Sequence, residues 1–225
     1  MLDIKYKETM TTTAAYDPAT IPQLESALEA QSKDSNLYNF KSNKALAKLY
    51  RCFPSSSNSK HQHYATMLLV SLCQYPESST DFHALVCLMP ESAQEEDACA
   101  CLIRCAELME GAQFEMFWET FPSDNKADER ICGEMRDGIL KVFGSVYQNI
   151  ACGVVAKALG YGDDVEGMKK FIQGNASASV SADGAMVEFV LTGANSKRSV
   201  VQNQQQSLMG KIGLDSVSHL LHLPQ

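Results

Sequence analysis

The densest group of side chains able to hold a metal or act as nucleophiles is Cys99, Cys101 and Cys105, with Cys87 a little upstream. Zinc wants four ligands at the corners of a tetrahedron, and structural sites draw them from paired CxxC or Cys/His motifs. No CxxC occurs in this chain, and on a helix Cys101 and Cys105 share a face that Cys99 leaves. Small buried hydrophobes are the expected role of all three. His61 and His63 would chelate from an extended segment, but on a helix they diverge by about 200°, so both are expected as solvated histidines at a helix entry. No serine sits in a nucleophile elbow, and with His83 on a helix and His219 and His222 in the tail no triad is visible. Gly160-Tyr161-Gly162 follows a helical segment instead of a strand, and Gly210-Lys211 is followed by Ile212 where a phosphate loop needs Ser or Thr. Glu95-Glu96-Asp97 opens a helix, where the positive end of the dipole favours acids. No catalytic residue, no cofactor and no metal is therefore expected, and the protein is not expected to be an enzyme.

The elements around these residues are helical. Apolar residues recur at i, i+3 and i+4 in Leu24, Ala27 and Leu28; in Leu46, Leu49, Tyr50 and Phe53; in Tyr64, Met67, Leu68, Leu72 and Tyr75; and in Phe82, Leu85, Val86 and Met89. Ala98, Cys101, Leu102, Cys105 and Met109 extend the series to Gly111, and Phe114, Phe117, Trp118 and Phe121 close it before Pro122. Thr20 is the expected cap of the first helix, with Pro22 in its first turn. Helix starts near 22, 62 and 95 recur at the period of stacked helical hairpins. Beyond a polar connection at 123–130, Ile131, Met135, Ile139, Val142 and Val146 mark a longer helix, and Ala151, Val154, Val155, Ala158 and Leu159 another. A short helix follows over 164–173, and then a hairpin, with Val180 before and Met186 to Leu191 after Asp183-Gly184, read as a primed turn with positive φ at both central residues. The fold class expected is mostly α: stacked helical-hairpin, HEAT-like repeats followed by a winged helix with a small β-hairpin. The boundaries expected are a flexible leader at 1–20, a helical-repeat domain at 21–122, a winged-helix domain at 123–198 and an amphipathic tail at 199–225.

The chain has 225 residues and a formal net charge of −8, with 45% hydrophobic and 20% charged residues, which is the composition of a globular protein. The acid excess is confined to residues 1–140, which hold 12 basic and 21 acidic side chains against 7 and 6 in residues 141–225. That balance opposes wrapping nucleic acid or sitting on anionic lipid. The start lacks the apolar stretch of a signal peptide, and no run of 18 apolar residues occurs, so no membrane association is expected and a cytoplasmic location is. Eight cysteines scattered through helices of a chain this long are expected as reduced thiols. In the winged-helix region the cations Lys169, Lys170, Lys197 and Arg198 are the candidate RNA or ribosome contacts. They are too few and too dispersed for sequence-specific DNA binding.

The segments YDPATIPQLESALEAQ, ALAKLYRCFP, PESSTDFHALVCLMP with SAQEE, and FEMFWETF, in that order, resemble the K-subunit family of eukaryotic translation initiation factor 3, one branch of the PCI/winged-helix scaffold proteins found also in the COP9 signalosome and the proteasome lid. The likeness covers residues 16 to 121 and returns at Val146-Tyr147-Gln148-Asn149-Ile150 and at Asp215-Ser216-Val217-Ser218. Leu49-Tyr50, Asp81-Phe82 and Phe117-Trp118 match family positions that serve the fold. The resemblance implies a non-catalytic subunit that joins other initiation factor 3 subunits, especially the L subunit, and reaches the small ribosomal subunit through the complex. The alternatives are a subunit of the signalosome or lid, a winged-helix nucleic-acid-binding protein and, last, a thiol- or metal-dependent enzyme.

Leu208, Ile212, Leu214, Val217, Leu220 and Leu221 lie near helical intervals in the tail and would leave apolar area uncovered in a lone chain, which marks them as the candidate partner-binding residues. Deleting residues 207–225 is expected to leave the melting of the helical body unchanged while weakening incorporation into a complex; undiminished pull-down by the truncated chain would refute that role.

Overall fold

The computed structural model describes residues 17–54, 59–126, 128–175 and 178–189. The first helix, α1 (Ile21–Lys33), follows a 3-10 turn over Pro18–Thr20. Asp17 caps that turn, its carboxylate accepting from the Ala19 N–H at 2.9 Å. Thr20 does not act as the expected cap, because its hydroxyl turns back and donates to the Asp17 carbonyl at 2.7 Å. The leader expected at 1–20 therefore ends in ordered structure, and residues 1–16 lie outside the described residues. Helix α2 (Phe40–Cys52) is capped by Asn39, which accepts from the Ser42 N–H at 3.1 Å. Between α1 and α2 lies a buried amide network. Gln31 donates to Ser42 Oγ (3.2 Å) and Asn43 Oδ1 (3.0 Å), and accepts from Asn43 Nδ2 and the Asn39 N–H, each at 3.0 Å. Every strong polar atom of the Gln31 side chain thus has a partner, as burial demands.

Helices α3 (Lys60–Leu72) and α4 (Ser79–Leu88) form the second hairpin. A single turn, α5 (Glu91–Gln94), leads to the third, α6 (Asp97–Glu110) with α7 (Phe114–Thr120). Helix α1 packs on α2 and α3, α3 on α4 and α6, and α6 on α7, so each hairpin lies against the next. The connection at 123–130 holds a short helix, α8 (Ser123–Lys126), before the long α9 (Glu129–Val146), which Asp128 caps.

Past α9 the order is β1 (Asn149–Ala151), α10 (Cys152–Ala158), α11 (Val165–Gln173), β2 (Ala178–Val180) and β3 (Met186–Phe189). The strands form one antiparallel sheet in the order β1-β3-β2, with Ile150 opposite Val187 and Val180 opposite Val187 on the other side. Helix, strand, two helices and a hairpin whose last strand fills the centre of the sheet is a winged helix. The fold is mostly helical with a small sheet, as the periodicity indicates, and β1 is an addition to it. The hairpin turn differs from the primed turn expected. Of its two central residues only Gly184 has a positive φ, 70°. The Gly184 N–H donates to the Ser181 carbonyl at 2.9 Å, and Asp183 ties the loop by accepting from the Ala185 N–H at 3.0 Å. Asp183 is spared the left-handed conformation by its own side-chain bond.

One hydrophobic core runs from Ile21 to Phe189 through both regions. Their joint is the indole of Trp118 on α7, whose Nε1 donates to the Ala158 carbonyl at the end of α10 at 2.8 Å. Gly160, at φ 76°, passes so close beneath the ring that a Cβ there would lie 2.6 Å from Trp118 Cδ2. Arg136 of α9 closes the joint. Its guanidinium stands 4.4 Å from the Tyr161 ring centroid, 5.2 Å from Trp118 and 5.9 Å from Phe171, and its Nε donates to the Leu159 carbonyl at 3.0 Å. Gly160→Ala, which meets both a left-handed backbone and the indole, should cost about 3 kcal/mol. Gly162→Ala, at φ 59° with open space around it, should cost about 1 kcal/mol. Urea denaturation midpoints of the two variants give the comparison, and equal midpoints would show that the indole contact is not tight.

Candidate interaction surface

Strand β1 is at one edge of the sheet and pairs only with β3 among the described residues. Val146 and Tyr147 immediately precede it and Val154 sits in the first turn after it; they are 61%, 51% and 57% exposed. The helical stripes place Val146 and Val154 on buried faces, and the structure corrects both. Val146 is the last residue of α9, where the helix has run past the core, and Val154 stands in the first turn of α10, uncovered although Ala158, one turn later on the same face, and the adjacent Val155 are buried. An edge strand whose outer side has no strand partner among the described residues, flanked by exposed apolar side chains, is a surface suited to strand or apolar docking. Phe53, also counted in a stripe, is 38% exposed at the end of α2. The six residues that match family positions divide similarly: Leu49, Tyr50, Phe82 and Phe117 are buried, Trp118 is half-buried at the joint, and Asp81 accepts from the Tyr38 hydroxyl at 3.3 Å.

Of the candidate RNA contacts, Lys197 and Arg198 lie outside the described residues, as do the tail residues Leu208, Ile212, Leu214, Val217, Leu220 and Leu221. Lys169 and Lys170 are neighbours on α11 but not equivalent. Lys169 is held by Glu166 at 2.9 Å and is mostly covered, with its ammonium under the turn at Gly184. Lys170 is exposed, and the solvent side of α11 carries Glu166, Lys170 and Gln173. That face has no net charge and only one cation to offer a phosphate.

The titratable clusters elsewhere are internal ties. Tyr50 donates to Glu25 Oε1 at 2.6 Å and meets His63 Nδ1, while the His63 ring stacks on Tyr50 at 6.0 Å and 8°. His63 is therefore not the solvated residue expected; its side chain is 14% exposed and links α3 to the first hairpin. His61, facing Glu96 at 3.6 Å, is the more open of the two. On α6, Cys99 and Cys105 are buried and Cys101 donates to the Thr120 carbonyl at 3.4 Å. Burial pushes the Cys99 thiol up to about 11 and the Cys105 thiol up to about 12, the latter helped by the neighbouring Cys101. Burial also raises Cys73, beside Glu134. Thiols held protonated are poor nucleophiles and poor metal ligands. All eight cysteines are free, and among the described residues no group of three His, Cys, Asp or Glu side chains is placed to hold a metal. Among those residues, too, no helix is long and apolar enough to cross a membrane.

A stack of helical hairpins continuous with a winged helix, with its polar groups tied inward and an apolar strand edge left open, is the architecture of a scaffold protein. The CSN8/PSMD8/EIF3K family model matches residues 58–191, and the chain belongs to this family. Among curated relatives, eukaryotic translation initiation factor 3 subunit K of Drosophila sechellia is 28% identical over 148 residues, 64% of each chain. The protein of the same name from Drosophila yakuba matches equally, and that of Aedes aegypti is 26% identical over 152 residues, 66% of each chain. The matched span thus covers just under two thirds of the length of the Drosophila proteins.

Thiol burial gives a measurable outcome. At pH 8 a disulfide reagent such as DTNB should label Cys52 and Cys87, the two exposed cysteines, within the mixing time, and the four buried ones only on addition of denaturant. Thiols whose pKa is higher folded than unfolded stabilise the fold fully below about pH 9, and that contribution is lost as pH rises through 11 to 12. The urea midpoint should accordingly hold to about pH 9 and fall above it; a midpoint that rises over that window would contradict the burial of these thiols.

Proposed function

We propose that this chain is a non-catalytic scaffold subunit of translation initiation factor 3, working in the cytoplasm. In this reading it docks on sister subunits, notably the L subunit, and is carried by the complex onto the small ribosomal subunit. The helical stack, 21–122, acts as a rigid arm; the winged helix, 123–198, supplies the edge that packs on a sister subunit; and the tail, 199–225, supplies a second apolar attachment. The observation that carries this is the free edge of β1 flanked by exposed Val146, Tyr147 and Val154, on a chain similar to proteins named as the K subunit. Fixed orientation supports it, because the Trp118 joint holds that edge at a set position relative to the arm. A signalosome or lid subunit is the neighbouring possibility within the family, and the named relatives favour initiation factor 3. A groove-reading winged helix is disfavoured by the neutral solvent face of α11.

The full chain, tagged and purified from cell extract at physiological salt, should bring down initiation factor 3 subunits with the L subunit among them, identified by mass spectrometry. Tyr147→Glu with Val154→Glu, both at exposed positions, should leave the melting temperature within about 2 °C, since surface changes away from caps and core are usually within 0.5 kcal/mol. The pair should reduce that recovery at least severalfold. Recovery of signalosome or proteasome-lid subunits instead would overturn the assignment.

A further inference from the structure

Helix α2 shows solvent almost nothing but positive charge. Its sequence, FKSNKALAKLYRC, contains no carboxylate, and seven of its thirteen residues are buried, Leu46, Ala47 and Leu49 completely. Consecutive residues turn by about 100°, so Lys41, Lys44, Lys48 and Arg51 fall within an arc of about 80° on the face that remains. Their spacing of three, four and three residues makes a straight row about 15 Å long. Lys41 and Arg51 are exposed; Lys44 and Lys48 lay their stems along the helix, with the Lys44 ammonium 5.5 Å from the Phe40 ring centroid. Among the described residues none of the four is in an ion pair, whereas Arg104, Arg130, Lys141 and Lys169 each have a carboxylate within 4 Å. Like charges at these intervals destabilise a helix. A row of four in the acid-rich part of a chain of net charge −8 therefore works against the fold that carries it.

Two kinds of anion would suit the row, and the helix discriminates between them. An acidic helix laid along it would need an apolar seam for adhesion, because exposed ion pairs contribute little by themselves. The aliphatic side chains of α2 point inward, and the apolar area left at its two ends is the half-buried Phe40, beside Lys44, and the partly exposed Phe53, so such a partner would have no continuous seam beneath the row. A phosphate backbone needs no apolar burial, since its binding draws on counterion release from a densely charged strand, and each neutralised phosphate contributes. The face has no carboxylate or amide to read base edges.

We infer that Lys41, Lys44, Lys48 and Arg51 form a binding site for the phosphate backbone of RNA, without sequence readout, on a different element from the winged-helix cations considered above. The phosphate contact stands apart from the assembly reading; only the choice of RNA over DNA rests on it.

The test uses the full chain and a fluorescein-labelled 20-base-pair RNA duplex of arbitrary sequence, with anisotropy followed from about 50 to 200 mM KCl. Four phosphate contacts on a duplex predict a slope of log affinity against log salt of about −3.6. Lys44→Gln with Lys48→Gln should reduce that slope by about 2 and weaken binding at 50 mM KCl roughly tenfold or more. Lys41→Gln with Arg51→Gln, changed at exposed positions, should do the same, and Arg104→Gln should bind like the parent. Thermal melts establish that each variant is folded. Absence of binding by the parent at 50 mM KCl would overturn the site, as would undiminished binding by both double variants, or retention of poly-L-glutamate where the duplex is not retained. If RNA binding fails while co-purification of initiation factor subunits persists, the site is refuted and the assembly reading stands. If co-purification fails while both double variants lose RNA, the reverse holds.

Discussion

The contact between the Trp118 indole and the bare backbone of Gly160 fixes the shape of this molecule. Helical stacks grow by laying one hairpin on the last, and nothing in that process dictates how a following domain of different architecture will sit. Here the third hairpin ends in an aromatic run in which Phe117 stacks on Phe121 at 5.0 Å and meets Trp118 edge-on at 5.1 Å. The indole reaches beyond the hairpin to the end of α10, where only a residue without a Cβ lets it close. Arg136 then occupies the space between three aromatic rings and satisfies the Leu159 carbonyl, which the end of α10 would otherwise leave open. Helix α9, which carries Arg136, touches the arm elsewhere too. Arg130 donates to the Ser32 carbonyl at 2.7 Å, across 98 positions of sequence, and Phe143 meets Phe114 edge-on at 5.5 Å. The winged helix is thereby fastened at several points along one long helix, and the edge of β1 keeps a defined direction relative to α2.

What the sequence reveals follows from what repeats. Each helix of the arm buries one stripe against a neighbour, so its period of 3.6 is written in residue types, and the starts at Ile21, Lys60 and Asp97 lie close to those the stripes imply. Features made by a single contact leave no such pattern. Strand β1 is three residues long with its middle residue partly covered, too short for alternation to register. Asp17 and Thr20 are both good caps, and which one acts is decided by a 3-10 turn that puts the Thr20 hydroxyl behind the chain. Val146 continues a stripe beyond the end of its core and Val154 begins one a turn before its core closes, which periodicity cannot see. The buried network of Gln31, Ser42 and Asn43 reads in sequence as three surface residues, because its pairing spans two helices.

The polar side chains follow a related rule. Residue type marks a group as able to act as an acid, base or thiol, but type does not tell whether it faces a substrate or another element. His63 faces Tyr50 and Glu25, Glu110 accepts from Ser79 at 2.6 Å while meeting His83 at 2.8 Å, and Asp137 accepts from Asn175 at 2.8 Å. The first two bind one helix to another, and the third ties α9 to the segment that follows α11. In a stacked-hairpin fold the spaces between elements are narrow, and polar groups placed there serve the junction that encloses them.

The β1 edge and the α2 row differ in physical kind, and the difference bears on how a scaffold would use them. The β1 edge with its valines and tyrosine offers backbone pairing and apolar area, an interaction that salt scarcely weakens and that depends on shape. The α2 row offers charge without shape, an interaction that fades steeply with salt and tolerates sliding. A subunit held by the first kind of surface can orient the second, because the Trp118 joint ties both to one rigid body. The row, whose contribution alone is modest at physiological salt, then meets its phosphates at the high effective concentration that attachment provides. In that arrangement specificity resides in the apolar edge and the cations only strengthen a placement already made, which is why a chain of net charge −8 can carry such a row without binding nucleic acid indiscriminately.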